Sequence, residues 1–109
     1  MTEQMREPTY LVLAALAGGR QHGYGVMQDV AALSEGRVQL RAGTLYGALE
    51  RLVRDGLVTQ DGEQVVSGRL RRFYVLNPAG TRALAEQTSQ RQATVKVAVR
   101  RLRALGVQA

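Results

Sequence analysis

The residue types best suited to chemistry lie in residues 41–58, Arg-Ala-Gly-Thr-Leu-Tyr-Gly-Ala-Leu-Glu-Arg-Leu-Val-Arg-Asp-Gly-Leu-Val. Leu45, Leu49, Leu52 and Gly56 recur at helical spacing, which predicts an apolar helix face closed by a glycine stop. The other face carries Thr44, Tyr46, Gly47, Glu50, Arg51 and Arg54. Hydroxyl and guanidinium groups bind phosphates and base edges, and glycine permits close approach, so such a helix suits a DNA groove. An ordinary amphipathic surface helix has the same pattern, so its neighbours must decide. A second basic element follows, with Arg69, Arg71 and Arg72 inside four residues of a stretch that alternates with strand period.

The function classes that composition excludes are broad. The chain has no cysteine and a single histidine, His22. That removes disulfides and thiolate chemistry, leaves no basis for a metal site, and gives little general acid–base machinery, so no enzyme and no cofactor are expected. No stretch is long enough to span a membrane, and Met1 to Pro8 lacks the character of a signal peptide, so a cytoplasmic location without membrane contact is expected. Net charge is +6. Residues 1–36 have two arginines against four acids, residues 37–77 seven against four, and residues 78–109 six basic residues against one. Positive charge therefore gathers in the middle and the tail, as a polyanionic partner would require.

The elements that must position these groups can be placed from pattern. Pro8 to Ala17 predicts a first helix, apolar nearly all round and ended by Gly18-Gly19. His22-Gly23-Tyr24-Gly25 opens a second, roughly Tyr24 to Leu33, with Val26, Val30 and Leu33 on one face and Met27 beside them. Val38 to Leu40 is a short strand or an extended lead into the third helix, 42–55. The span 57–76 predicts a hairpin, with turn signals at Asp61-Gly62-Glu63 and at Ser67-Gly68. Asn77 and Pro78 start a last helix that no strong breaker interrupts before Leu105. Its seam of Leu84, Thr88, Arg91, Val95, Ala98, Leu102 and Leu105 has four–three spacing and predicts a dimer contact strongest from Val95 onward. The polar run 87–92 gives a place for a bend near Ser89.

The predicted fold is mainly α with a small β-hairpin: a winged helix-turn-helix domain over 1–77 and a dimerisation helix over 78–109. In that arrangement the third helix enters the major groove of double-stranded DNA and the wing lies near adjacent phosphates. Thr44 and Gly47 are the candidates for base edges. Tyr46 either reaches a phosphate or packs against the wing. Arg41, Arg51, Arg69, Arg71 and Arg72 supply charge, and Tyr24 sits where free N–H groups at a helix start favour phosphate. His22 is read as a structural hydrogen-bonding residue. Of Phe73 and Tyr74, on opposite strand faces, one must be core. The competing reading is a winged-helix module that binds an acidic protein partner.

The chain also resembles the PadR-type transcriptional regulators, in particular the short subclass with one C-terminal helix. The resemblance spans about residues 8–86 and rests on His22-Gly23-Tyr24-Gly25, Gly43-Thr44-Leu45-Tyr46 with Leu49 and Leu52, Asp55-Gly56-Leu57-Val58, and Arg71-Arg72-Phe73-Tyr74 followed by Leu76-Asn77-Pro78-Ala79-Gly80. It implies a homodimeric bacterial repressor that binds an inverted repeat and leaves it when a small-molecule effector appears. Gly47 stands where the family often has proline or a basic residue, Ala42 where serine or proline is common, and Asn77 where threonine is usual. Members of the short subclass can stack flat aromatic compounds on aromatic side chains of the long helix. That helix has no aromatic residue here, so aliphatic and polar contacts between the first and last helices are expected to hold any effector.

Overall fold

The structure is a computed structural model that describes residues 4–109; the first three residues of the expected 1–77 domain lie outside the described residues. Element order is α1 (Glu7–Ala17), β1 (Gln21–His22), α2 (Gly23–Leu33), α3 (Ala42–Arg54), β2 (Val58–Val66), β3 (Arg69–Leu76) and α4 (Pro78–Ala104). This is the expected mainly α fold with a small sheet, and the predicted helices are all present. Among the described residues no helix is long and apolar enough to cross a membrane.

The core forms where three helices meet the root of the wing. Leu11, Val12, Leu13, Ala15 and Leu16 of α1 are buried against Val26 and Val30 of α2, Leu45, Leu49 and Leu52 of α3, and Val58 and Tyr74 of the sheet. Leu33 was expected on the inner face of α2 but is 49% exposed. The helix ends there, and Ser34 takes the buried position instead. Its Oγ donates to the Val30 carbonyl at 2.9 Å and accepts from the Val38 N–H at 3.0 Å. That hydroxyl holds the turn between α2 and α3, with Glu35 and Gly36 at φ 52° and 80°, and Val38–Leu40 is an extended lead rather than a strand.

The sheet differs from a simple hairpin. It has three antiparallel strands in the order β1-β3-β2. The two-residue β1 pairs Gln21 with Tyr74 and His22 with Phe73, too short a run to leave an alternation signal. Asp61-Gly62 is not the wing's turn: it forms an irregularity inside β2 between Gln60 and Glu63, with Gly62 at φ 86°. Pairing resumes to Val66, and the chain reverses at Ser67-Gly68, both in the left-handed region as a tight hairpin turn requires.

The joint between α3 and α4 is made through backbone. Gly56, at φ 77°, stops α3 while its N–H and that of Leu57 close on the Val53 and Leu52 carbonyls. Asn77 caps α4 by accepting from the Gly80 N–H at 2.9 Å. Its Nδ2 also donates to the Gly56 carbonyl at 2.9 Å, a bond that a threonine lacks the donor geometry to copy. Gly80 lies so close to the Leu57 carbonyl that a Cβ would overlap it. Beyond this joint α4 runs unbroken through Ser89. Its first half packs on α1. There Thr88 Oγ1 bonds the Tyr10 hydroxyl at 2.8 Å, Arg91 donates to the Met5 carbonyl at 2.9 Å, and buried Gln87 accepts from the Met5 N–H at 2.9 Å. Its second half projects from the domain, and the molecule measures 55 × 30 × 21 Å.

Two glycine substitutions should move stability in opposite directions. Gly80→Ala is expected to cost about 1–3 kcal/mol through overlap with backbone. Gly47→Ala, at a helical position where no other described residue outside the adjoining helix backbone comes within 4 Å of the added atom, should gain roughly 0.5–1 kcal/mol. Urea denaturation of both variants checks the pair.

Candidate nucleic-acid interface

The exposed surface of α3 divides into three stripes. Gly43 and Gly47 lie one turn apart on its crest, and among the described residues nothing beyond the adjoining helix backbone comes within 4 Å of a Cβ built on either. Thr44 and Arg51 lie on one flank with Ala48 and Asp55, along a cleft whose far wall is Arg6, Pro8, Thr9 and Leu40. Tyr46 and Glu50 lie on the other flank, facing β3 across a groove that Leu70, Arg72 and Tyr74 complete. Arg41 precedes the helix, exposed, with no capping bond from its side chain.

Tyr46 packs in part against α2 rather than against the wing alone. Its phenol end lies over Gly23, where an added Cβ would meet the hydroxyl, so Gly23 is the reason α2 and α3 can approach there. The ring is still 38% exposed. Tyr24, one residue on, is 48% exposed, and the Arg71 guanidinium stands 5.5 Å from its ring centroid. His22 does what was expected of it: Nδ1 accepts from the Gly25 N–H at 3.1 Å and caps α2.

Strand alternation splits the wing's arginines between two faces. Arg69 and Arg71 share a face with Phe73, and Arg71 reaches Tyr24. Phe73 is buried beneath Arg20, 3.9 Å above its ring, and beside His22, with centroids 5.5 Å apart. Arg20 is in turn tied to Asp61, with Nε to Oδ2 at 3.0 Å and a second bond to the Asp61 carbonyl at 2.9 Å. That tie connects the end of α1 to the β2 irregularity and steadies the wing's root. Arg72 is on the opposite face, toward α3, and its Nε lies 3.5 Å from Glu63, its partner across the strands. Both groups are exposed, so the pair is weak and can open.

Both aromatic residues of β3 are thus buried, and Tyr74 is the one in the main core. It is 4% exposed. Burial pushes the pKa of its hydroxyl up from the usual 10.0; Arg72 opposes the shift, and Tyr46 and Glu50 add to it. Sequence reasoning did not single out Tyr74 or Glu63 as interface residues. Their placement follows from the strand register beyond the β2 irregularity, which no local pattern reveals.

The residues of the long-helix seam fall into two sets. Leu84 packs against the chain's own core, and Thr88 and Arg91 are engaged with α1 and the N-terminal segment. Val95, Ala98, Leu102 and Leu105 are exposed on the projecting half. Between α1 and α4 lies a shallow cleft bordered by Tyr10, Thr88, Arg91, Gln92, Val95 and Lys96. The Tyr10 ring there is covered by Arg91, 3.8 Å from its centroid.

Comparison with known proteins bears on this arrangement. Residues 12–86 match the transcriptional regulator PadR-like family. A transcriptional regulator of Mycobacterium tuberculosis is 40% identical over 75 residues, which are 69% of this chain and 66%, a little under two thirds, of that protein. Among solved structures, a transcriptional regulator from Clostridium thermocellum superposes with a TM-score of 0.69 at 21% identity, over 82% of this chain and 86% of that one. Bacillus subtilis PadR in complex with operator DNA gives a TM-score of 0.65 at 20% identity, over 74% of this chain and 47% of that one. At such identities the structural matches establish the fold.

The raised pKa of Tyr74 has a measurable consequence. The folded state holds that proton more tightly than the unfolded chain, so the hydroxyl's contribution to stability is intact below the unfolded value, about pH 10, and is lost as pH rises through the folded one. Thermal denaturation between about pH 8 and pH 11 should show a smaller alkaline fall in Tyr74→Phe than in the unaltered protein.

Proposed function

The chain belongs to the PadR-like family of transcriptional regulators, and from that premise we propose that it is a repressor that binds an inverted-repeat operator in double-stranded DNA as a homodimer. The observation that carries this reading is the common exposure of the α3 surface and the basic wing beside it. In a winged helix, α3 enters the major groove while the wing reaches the neighbouring backbone. The Bacillus subtilis relative of the same fold binds operator DNA. Thr44 and the bare crest at Gly47 read base edges. Arg41, Arg51, Arg69 and Arg71 bind phosphates, and Tyr24 positions the start of α2 against the backbone.

The dimer forms along the projecting half of α4. Val95, Ala98, Leu102 and Leu105 recur at four–three spacing and are exposed, as a helix-pairing seam requires. Two copies paired there set the spacing of two α3 helices, and hence of two half-sites. Release involves a small molecule held by aliphatic and polar contacts in the cleft between α1 and α4. Val95 and the Lys96 and Arg91 cations border that cleft, and Arg91 already occupies the face of its one aromatic ring.

Gel shift on the DNA upstream of the gene, over a range of salt and against a scrambled duplex, tests the reading. Binding that resists the competitor with a two-fold symmetric footprint supports it. Weak binding to both duplexes alike, lost with salt, favours an acidic protein partner instead. Arg71→Ala should weaken binding to every sequence and reduce the salt slope by about one, whereas Thr44→Ala should change preference among sites. Leu102→Glu with Leu105→Glu should yield a folded monomer by sedimentation and abolish operator binding, since neither side chain serves the core of its own chain.

A further inference from the structure

The groove between α3 and the wing has an unusual floor. Tyr74 is 96% buried by its 4% residual exposure, yet among the described residues its hydroxyl has no hydrogen-bond partner. The ring is buried but the hydroxyl is not sealed from solvent, so it is free to donate into an open groove that Tyr46, Glu50, Leu70 and Arg72 also line. The Tyr46 hydroxyl also makes no hydrogen bond among the described residues. Two phenol donors and a guanidinium therefore border one small space, beside the apolar Leu70 and its cross-strand neighbour Val65, which are 64% and 68% exposed.

We propose that this groove seats one backbone phosphate of the operator, with the Tyr46 and Tyr74 hydroxyls donating to its non-bridging oxygens and Arg72 supplying the charge. The inference rests on the DNA-binding reading above and extends it to a residue, Tyr74, that lies in the core cluster. Geometry favours a phosphate over a base. With α3 in the major groove and the wing across the adjacent backbone, the sugar–phosphate chain between them runs along this groove. Leu70 and Val65 present apolar surface of the kind a deoxyribose ring covers. Of the side chains that line it, Glu50, on the exposed rim, is the one carboxylate, and it opposes an anion.

The seat has to be opened before it is filled. Arg72 is paired with Glu63 at 3.5 Å, and a phosphate must draw it away. A surface pair of this kind is weak enough for the exchange. The hydroxyl of Tyr74 keeps its proton at neutral pH, since burial makes it harder to ionise, and so remains a donor.

The test is Tyr74→Phe, measured by fluorescence anisotropy with the operator and with an unrelated duplex, alongside thermal denaturation. Affinity should fall about tenfold on both duplexes, as for one hydrogen bond to a charged group. The salt slope should stay unchanged, because no charge is lost, and the melting temperature should hold or rise. Arg72→Ala should give a similar uniform loss with the slope reduced by about one, and Glu50→Gln should tighten binding about two- to threefold through removal of like charge. Binding by Tyr74→Phe within twofold of the unaltered protein, while Arg71→Ala is impaired, would overturn the seat and leave the DNA reading intact. So would a loss confined to the operator, or one accompanied by a lowered melting temperature. Absence of any operator preference in the unaltered protein would instead overturn the DNA reading, and the seat with it.

Discussion

The carbonyl oxygens of Gly56 and Leu57 are the point on which the rest of the molecule turns. One accepts from the Asn77 side chain, the other from the Asn77 N–H at 3.3 Å, and Gly80 packs directly over Leu57. Those contacts join the end of α3, the start of β2, the end of β3 and the first turn of α4 within a few residues. Backbone packed on backbone has no rotamers to adjust and transmits displacement with little slack. The helix proposed to read DNA and the helix proposed to pair subunits therefore share one rigid joint. A change in how two α4 helices cross would reappear as a change in the distance between two α3 helices, and a ligand acting at the α1–α4 cleft needs no other route to the DNA-facing surface.

Charge in the wing is divided more finely than its sequence suggests. Three arginines in four residues read as one basic patch, but the pleat sends Arg69 and Arg71 to the outer face and Arg72 toward α3. Glu63 and Glu50 stand near the inner one. The outer pair is thus suited to long-range attraction at any sequence, while the inner arginine becomes available only when its carboxylate partner is displaced. On the proposed reading, that separation provides a general attraction to DNA and a contact that must be won from within the protein.

Much of this was legible in the residues and some was not. The helices followed from periodicity and from capping signals, since Asn77, Pro78 and the glycine stops act locally. The amphipathic face of α3 was visible because four apolar residues fix it. What local pattern could not give was tertiary in origin. The two-residue β1 is too short to alternate, and Asp61-Gly62 looks like a turn because the same residue types make turns and bulges. Leu33 fits a helical stripe but falls where the chain leaves the core. Thr88 and Arg91 fit the spacing of the expected pairing seam, yet they are the positions at which α4 serves α1 and the N-terminal segment. The roles of Tyr74 and Glu63 depend on register, which is settled only when both strands are laid side by side.

None of the described residues lies over Gly43 and Gly47, and this bears on how such a protein can change over time. Most surface positions of a small domain are constrained by some neighbour, so an altered contact usually carries a folding cost. Here a side chain added at either site meets open solvent, and the helix itself gains from the loss of glycine. The crest is therefore a place where new binding preferences can be tried without endangering the fold. Of all the surfaces on α3, it is the one from which a lineage of regulators could most cheaply diverge to new targets.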